Sequence, residues 1–321
     1  MAGDRSEPDV EAIPLVTVVI PAYTYENYVG ETIQSVLDQT YPEIETLVVD
    51  DGSTDGTAEV VKGFGGRVSY IHKENGGLGS ARNRGISDAR GEFLVFLDAD
   101  DLLEPDAVDL MVAKLQSLTS DYALVACQFT AIDGEGKEVS VQERAPADGE
   151  VTYKSLLLRN RFCPVVLVRR SVICELGMFD TEFGVGEQGS EDRDMWIRIA
   201  AGHRIFMLGQ RLVRKRQHTV NMSSNTERQM ASMRRTLGKA KASGVVSRWN
   251  LPFWGHVSSV YHMQGAMMFK EGGDKGGAWR ELLKSFVCCP WPCSHREAGL
   301  PPLFRLRCLT RWSFSGFSKQ K

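Results

Sequence analysis

The run FLVFLDADD (93–101) sets three aspartates, Asp98, Asp100 and Asp101, within four positions directly after an apolar segment. Carboxylates this close repel one another, and a hard divalent cation is the simplest remedy. Mg2+ and Mn2+ prefer oxygen donors and commonly bind through one or two carboxylates plus substrate phosphates. KENGGLGSARNRG (73–85) places Arg82 and Arg84 nearby as positive charge for phosphate. DDGSTDGT (50–57) offers Asp50 and Asp51 as acceptors for a base edge. A cation, phosphates and such an acceptor together describe a nucleotide diphosphate site.

These clusters need a scaffold that brings them to one edge. LVTVVI (15–20), IETLVV (44–49), SYIH (69–72) and EFLVFL (92–97) read as strands, the longer ones apolar enough for burial on both faces. Between them Val29, Ile33, Val36 and Leu37, then Leu78, Ala81, Gly85 and Ile86, recur at helical spacing, and a further helix begins near Pro105. This alternation predicts an α/β fold with a mostly parallel sheet and helices on both faces. Ligands of such sheets bind outside the carboxyl ends of the strands. Each polar cluster follows a strand, so coincidence would be needed three times over for loop chemistry alone to explain them. Singly, DDGSTDG can be a turn with a helix cap, NGGLGS a glycine turn, and DADD an acidic approach to the next helix. A dinucleotide fingerprint is excluded, because Arg82 stands where the third glycine of G-x-G-x-x-G belongs.

Beyond Tyr122 the pattern changes. YALVACQ (122–128), PVVLVRR (164–170), RIFML (204–208) and LVRKR (212–216) read as strands, and Asp133-Gly134 marks a turn. RDMWIRIA (193–200) reads as a helix with Trp196, Ile199 and Ala200 inward. Helices follow from about residue 224. With 321 residues, 42% apolar and 25% charged, the chain fits a globular protein able to bury a large core. The net charge of −3 gives no reason to expect nucleic acid. No apolar run approaches the ~18–20 residues of a membrane span. The acidic, polar start lacks the apolar region of a secretory signal. The seven cysteines form no regular framework, which points to a reducing compartment.

The motifs VTVVIPAY, ETIQSVLDQTYPEIETLVVDDGSTDGT, KENGGLGSARNRG and GEFLVFLDADD, in this order, resemble an inverting glycosyltransferase of family 2 with a GT-A fold. The resemblance spans about 15–225 and departs at Thr24, where the family usually has Asn. It implies a flexible lead (1–14), a catalytic domain (15–225) with nucleotide-binding (15–118) and acceptor-binding (119–225) halves, and a helical extension (226–321). Residue by residue, it implies that Pro21 and Tyr23 line the nucleoside pocket. Asp51 accepts from the base, uracil N3–H for a UDP donor, and Asp50 supports that loop or the ribose. Arg82 approaches the diphosphate or base. Asp98 holds the ribose or a metal water, and Asp100 binds Mn2+ or Mg2+. Asp101 stays open, since DADD allows two registers for the acidic pair of the DXD motif.

The next family-like motif, ELGMFDTEFGVGEQGSEDRDMWIRIAAGHRI, centres on Glu191 and Asp192. Ser190 as cap, with Glu191, Asp192 and Asp194 on the dipole, is the structural alternative. Transfer to a sugar hydroxyl needs a general base, and Asp192, with Glu191 second, is the candidate. RKRQHTVNMS (214–223) resembles the family's YR-x-H…N-x-S, with Lys215 in place of the aromatic, and His218 is the candidate diphosphate contact or further metal ligand.

CCPWPCSH lacks the C-x₂-C pairing of common zinc sites. The tail PPLFRLRCLTRWSFSGFSKQK interleaves Arg305, Arg307, Arg311, Lys319 and Lys321 with Leu and aromatic residues and has no acid. Such a pattern can lie on an anionic membrane or pack on the catalytic domain. The expected enzyme is cytoplasmic, with peripheral membrane contact through this tail as one of the two alternatives, and works in polysaccharide or glycoconjugate synthesis on a saccharide, lipid-linked or other hydroxyl acceptor. Two other functions compete. A sugar nucleotidyltransferase would want a basic, glycine-rich loop after the first strand, which PAYTYENY lacks. A non-catalytic nucleotide-sugar-binding module would tolerate loss of the acids that are present here.

Overall fold

The computed structural model describes residues 13–140, 148–159, 165–183, 190–217, 226–290 and 305–309. The first part runs β1 (Val16–Ala22), α1 (Val29–Leu37), β2 (Ile44–Asp50), α2 (Thr57–Lys62), β3 (Ser69–His72), α3 (Leu78–Asp88), β4 (Phe93–Phe96), β5 (Leu102–Leu103) and α4 (Ala107–Ser117). Then come β6 (Tyr122–Ile132), β7 (Gly149–Val151), α5 (Tyr153–Leu158), β8 (Val166–Arg169), α6 (Arg170–Glu175), α7 (Glu191–Gly202) and β9 (Arg204–Arg216). Three helices follow, α8 (Thr226–Ala242), α9 (Leu251–Glu271) and α10 (Lys275–Cys288), and residues 305–309 form a last helical turn.

One sheet carries the order β3-β2-β1-β4-β8-β6-β9-β5, with β7 on β9. β3, β2, β1 and β4 pair in parallel; β8 is antiparallel to both β4 and β6, while β6 and β9 are again parallel. The carboxyl ends of β1, β2, β3 and β4 therefore share one edge. Period-two alternation divides the core. Val16, Val18, Ile20, Val48, Phe93 and Val95 pack with α1 and α4 on one face. Val19, Val49, Leu94 and Phe96 pack with α3, α5 and α7 on the other. That second layer continues into the C-terminal helices through Met230, Met233, Trp254, Val257 and Tyr261. An ion-paired contact reinforces it: Asp194 of α7 meets Lys239 of α8 at 2.7 Å and Arg198 at 2.9 Å.

The segments 204–208 and 212–216, expected as two strands, form one. Gly209-Gln210-Arg211 reads as a turn, but β9 continues through it and takes up the irregularity as register shifts against β6 at Ala126/Gln128 and Gln128/Phe129. The tilt of α3 over the sheet depends on Gly85. A Cβ there would sit 2.3 Å from Val19 Cγ1, in the middle of a strand that cannot move aside. Gly85→Ala is therefore expected to cost about 1–3 kcal/mol by overpacking. Gly238 of α8 has open space around its Cβ position, and Gly238→Ala should stabilise by about 0.4–1 kcal/mol. Urea denaturation of the two variants checks the contrast.

Candidate functional site

At the end of β1, Pro21 is buried while Tyr23 projects into solvent, 48% exposed. Thr24 follows with φ 59°, a left-handed conformation that Asn adopts more readily than a β-branched residue. Its N–H donates to Ser53 Oγ at 3.0 Å, joining the β1 and β2 loops. The two aspartates after β2 are both buried and differently used. Asp50 accepts from Ser53 N–H (2.8 Å) and Tyr70 OH (2.5 Å), with His72 Nδ1 at 3.2 Å. Asp51 accepts from Lys73 Nζ (2.5 Å), Gly76 N–H (3.0 Å) and Gly77 N–H (2.7 Å). Asp50 thus stiffens its own loop and the β3 edge, and Asp51 ties down the glycine-rich turn leading into α3.

At the end of β4, Asp98 keeps a quarter of its side chain exposed, whereas Asp100 and Asp101 are buried. Asp101 Oδ1 accepts from Arg216 N–H at 2.9 Å, while its buried Oδ2 has no hydrogen-bond partner among the described residues. Burial, with the Asp98 and Asp100 charges, pushes the Asp101 pKa well above the ordinary carboxylate range. Arg216 was not anticipated from the sequence. Its guanidinium donates to the Asp100 carbonyl (3.0 Å) and the Gly134 carbonyl (2.8 Å), and pairs with Glu31 (2.7 Å) while lying over the Tyr28 ring. An arginine closing a strand looks like surface charge in sequence; the only hint was its place two residues before His218. His218 itself lies outside the described residues.

Arg82 joins the two halves of the site. It is 1% exposed, and its Nη1 and Nη2 contact Glu191 Oε1 at 2.6 Å and Asp98 Oδ1 at 2.9 Å. The guanidinium also faces the Phe179 ring. Burial, with Asp192 and Asp98 nearby, raises the Glu191 pKa despite the Arg82 charge. Arg84, two residues along α3, points elsewhere and pairs with Asp88 on the surface. Residues two apart on a helix are not on one face.

The acids of α7 likewise diverge. Glu191 turns to Arg82 and Asp194 to α8, leaving Asp192 beside a cavity of about 450 Å³ lined also by Arg159, Gln229, Met233, Gln264 and Met268. The capping expected of Ser190 is absent: its φ is 126° and its side chain makes no capping bond. Instead Glu191 Oε2 accepts from Ser190 N–H and Asp192 Oδ1 from Arg193 N–H. Asp98, Asp192 and Glu191 all act on Arg82 electrostatically, so the β4 edge and the α7 start form one constellation. No three His, Cys, Asp or Glu side chains among the described residues are arranged to hold a metal unaided. The available donors, the aspartates after β4 with one unpartnered carboxylate oxygen, suit a hard cation completed by ligand oxygens.

Arg82→Met should destabilise the protein by about 3–5 kcal/mol, because it strands two carboxylates. Adding Glu191→Gln should recover part of that loss in a double-mutant cycle read by urea denaturation. Asp50 gives a pH signature. Burial raises its pKa, but the Ser53, Tyr70 and His72 hydrogen bonds outweigh this and hold it below the usual range. Its contribution is therefore present above the unfolded value of about 3.9 and lost as pH falls through the lower folded value. Below about pH 4, stability should fall more steeply in the wild type than in Asp50→Asn.

Comparisons with known proteins identify the family and the fold. The family model described as "Glycosyl transferase family 2" matches residues 17–177. An uncharacterized glycosyltransferase of Rickettsia typhi is 29% identical over 221 residues, 68% of each chain. Chondroitin synthase of Pasteurella multocida is 43% identical over 124 residues, covering 38% of this chain and 12% of that much longer one. Among solved structures, a mannosyltransferase from Pyrobaculum calidifontis in complex with GDP-Man and Mn2+ aligns with a TM-score of 0.60 at 20% identity, covering 96% of this chain and 83% of that one. Staphylococcus aureus TarS in complex with UDP-GlcNAc aligns at 0.57 and 17% identity, covering 85% and 91%. With the strand-end motifs inside the matched region, the chain belongs to glycosyl transferase family 2 and has that family's GT-A-like fold.

Proposed function

We propose that this glycosyltransferase moves a sugar from a nucleotide diphosphate donor, a UDP-sugar in the first instance, to an acceptor hydroxyl with inversion. The observation that carries this reading is the position of Asp192. It flanks a cavity on one side and the Arg82–Glu191–Asp98 constellation on the other. A donor lying along the β4 edge and an acceptor in that cavity would meet at its carboxylate. The solved relatives support the donor class, since TarS binds UDP-GlcNAc and the Pyrobaculum enzyme GDP-Man with Mn2+.

In this reading Pro21 and Tyr23 border the nucleoside, and Asp51 offers its remaining acceptor capacity to the base while Asp50 keeps the loop rigid. Asp100 and Asp98 would hold Mn2+ or Mg2+ together with donor oxygens. The bound cation would neutralise charge on the departing diphosphate. Arg82, with both terminal nitrogens engaged, is assigned a different task from direct phosphate contact: it fixes Asp98 and Glu191. Asp192 takes the acceptor proton as the hydroxyl oxygen attacks the anomeric carbon, while Glu191 is held too firmly by Arg82 to share that role. A single displacement of this kind inverts the anomeric centre.

Turnover is tested with Mn2+ and a panel of UDP- and GDP-sugars, read as nucleoside diphosphate release with acceptors supplied. Asp192→Asn should lower kcat by about 10²–10⁴ with donor affinity unchanged; transfer at the normal rate would remove Asp192 as base. Asp100→Ala should weaken Mn2+-dependent donor binding in calorimetry, and unchanged Mn2+ dependence would take it out of the metal shell. Tight donor binding without release under any condition would favour a non-catalytic module.

A further inference from the structure

Among the described residues eight large hydrophobic side chains are exposed, and six of them lie beyond α8: Val245, Trp249, Leu251, Leu283, Val287 and Leu306. Trp249 is 74% exposed and Val287 83%. They gather at one end of the α9–α10 hairpin. A Cβ on Gly255, near the start of α9, would touch the carbonyl of Cys288 at the end of α10. Trp254 Nε1 donates to the Ser247 carbonyl, which folds the 243–250 connection onto the same end. Buried Arg305 donates to Ser259 Oγ, the Ser285 carbonyl and the Cys289 carbonyl, clipping the helical turn 305–309 there too. Leu283 and Val287 are one helical turn apart and share a face of α10.

Cations border these side chains. Lys241 lies near the Trp254 ring and Arg248 over Trp249. From Lys241 to Trp254 there is no acid. Arg280 and Lys284 share the α10 face with Leu283 and Val287 by helical spacing, and both pair with the one acid of α10, Glu281, which is buried and also meets His262. The sequence that continues from Leu309 adds Arg311, Trp312, Phe314, Phe317, Lys319 and Lys321, again without an acid. Exposed apolar side chains interleaved with cations fit an anionic bilayer: Trp and aliphatic side chains enter the headgroup boundary, and Lys and Arg meet lipid phosphates.

We propose that this end of the helical hairpin, from Val245 to Leu251 together with Leu283, Val287 and Leu306, is a docking surface for anionic lipid bilayers. No helix among the described residues is long and apolar enough to cross a membrane, so the contact is interfacial. It is a built face of the folded domain, rather than a property of the terminal segment alone.

The full chain is tested by co-sedimentation with vesicles of phosphatidylcholine alone and with anionic phosphatidylglycerol added. Binding should require the anionic lipid and weaken with salt. Arg248→Glu should lower the partition coefficient at least about fivefold, and Trp249→Ser with Val287→Ser should reduce it further. All these positions are exposed, so thermal stability and turnover of a water-soluble acceptor should be unchanged. Four outcomes overturn the proposal: no vesicle binding, equal binding to neutral lipid, full binding by the Trp249→Ser/Val287→Ser variant when Trp312→Ser/Phe314→Ser abolishes it, or a wild-type dimer that the face variants convert to monomer without changing vesicle binding. Turnover and vesicle binding are measured separately, so failure of one reading leaves the other standing.

Discussion

A buried guanidinium between two carboxylates, Asp98 and Glu191, is the constraint on which the site rests. A charge so far from water is tolerated only when its partners are close and well aimed. That requirement fixes the distance between the end of β4 and the start of α7, two elements from opposite halves of the chain. Neighbouring contacts serve the same geometry. Asn83, one residue on in α3, donates to the Phe179 carbonyl and accepts from the Phe179 N–H, so the segment approaching α7 is held to the same helix. Gly85 lets α3 lie close enough to the sheet for Arg82 to reach both partners. The candidate binding side chains are thus set by residues that lie behind them.

Arg216 performs a matching task on the other flank of the aspartates. Its side chain gathers α1, the 133–134 turn and the Asp100 carbonyl, and its backbone N–H holds the Asp101 carboxylate. Thr32 adds a hydrogen bond from α1 to the Ala99 carbonyl at 2.9 Å. The DADD segment is therefore rigid in backbone while its carboxylates stay crowded. The repulsion is not relieved by neighbouring protein cations alone, since Asp101 retains an unpartnered oxygen. Under the proposed function, that oxygen and its crowded neighbours are where a cation and a diphosphate would complete the shell, and perturbed carboxylates of this kind are common at functional sites.

The parallel half of the sheet was legible because its signals are local. Apolar runs with period two, helical spacing between them, and polar clusters at each strand end all survive in the linear sequence. What failed to read were matters of direction. Arg82 and Arg84 look equivalent in SARNRG, yet one is buried against carboxylates and the other pairs with Asp88 at the surface. Glu191, Asp192 and Asp194 look like one acidic helix start, but three neighbours claim them separately. Ser190 has the residue type of a cap without the backbone angle of one. Arg216 gave only the hint of its place before His218, because its contacts come from distant segments. The break expected at residues 209–211 was overridden by pairing with β6, a long-range contact that outweighs turn propensity.

The 21 residues of α9 span about 30 Å. Its Asn250-capped end lies in the apolar, cationic face, and Gln264 and Met268 near the other end line the cavity beside Asp192. In the proposed reading the helix acts as a ruler: with its first end on a surface, a reacting centre at Asp192 stands away from that surface by up to about 25 Å, the rise from Leu251 to Met268. An acceptor would then be selected by stature as well as by chemistry: a sugar carried close to its anchor would fall short, and one at the tip of an extended chain would reach.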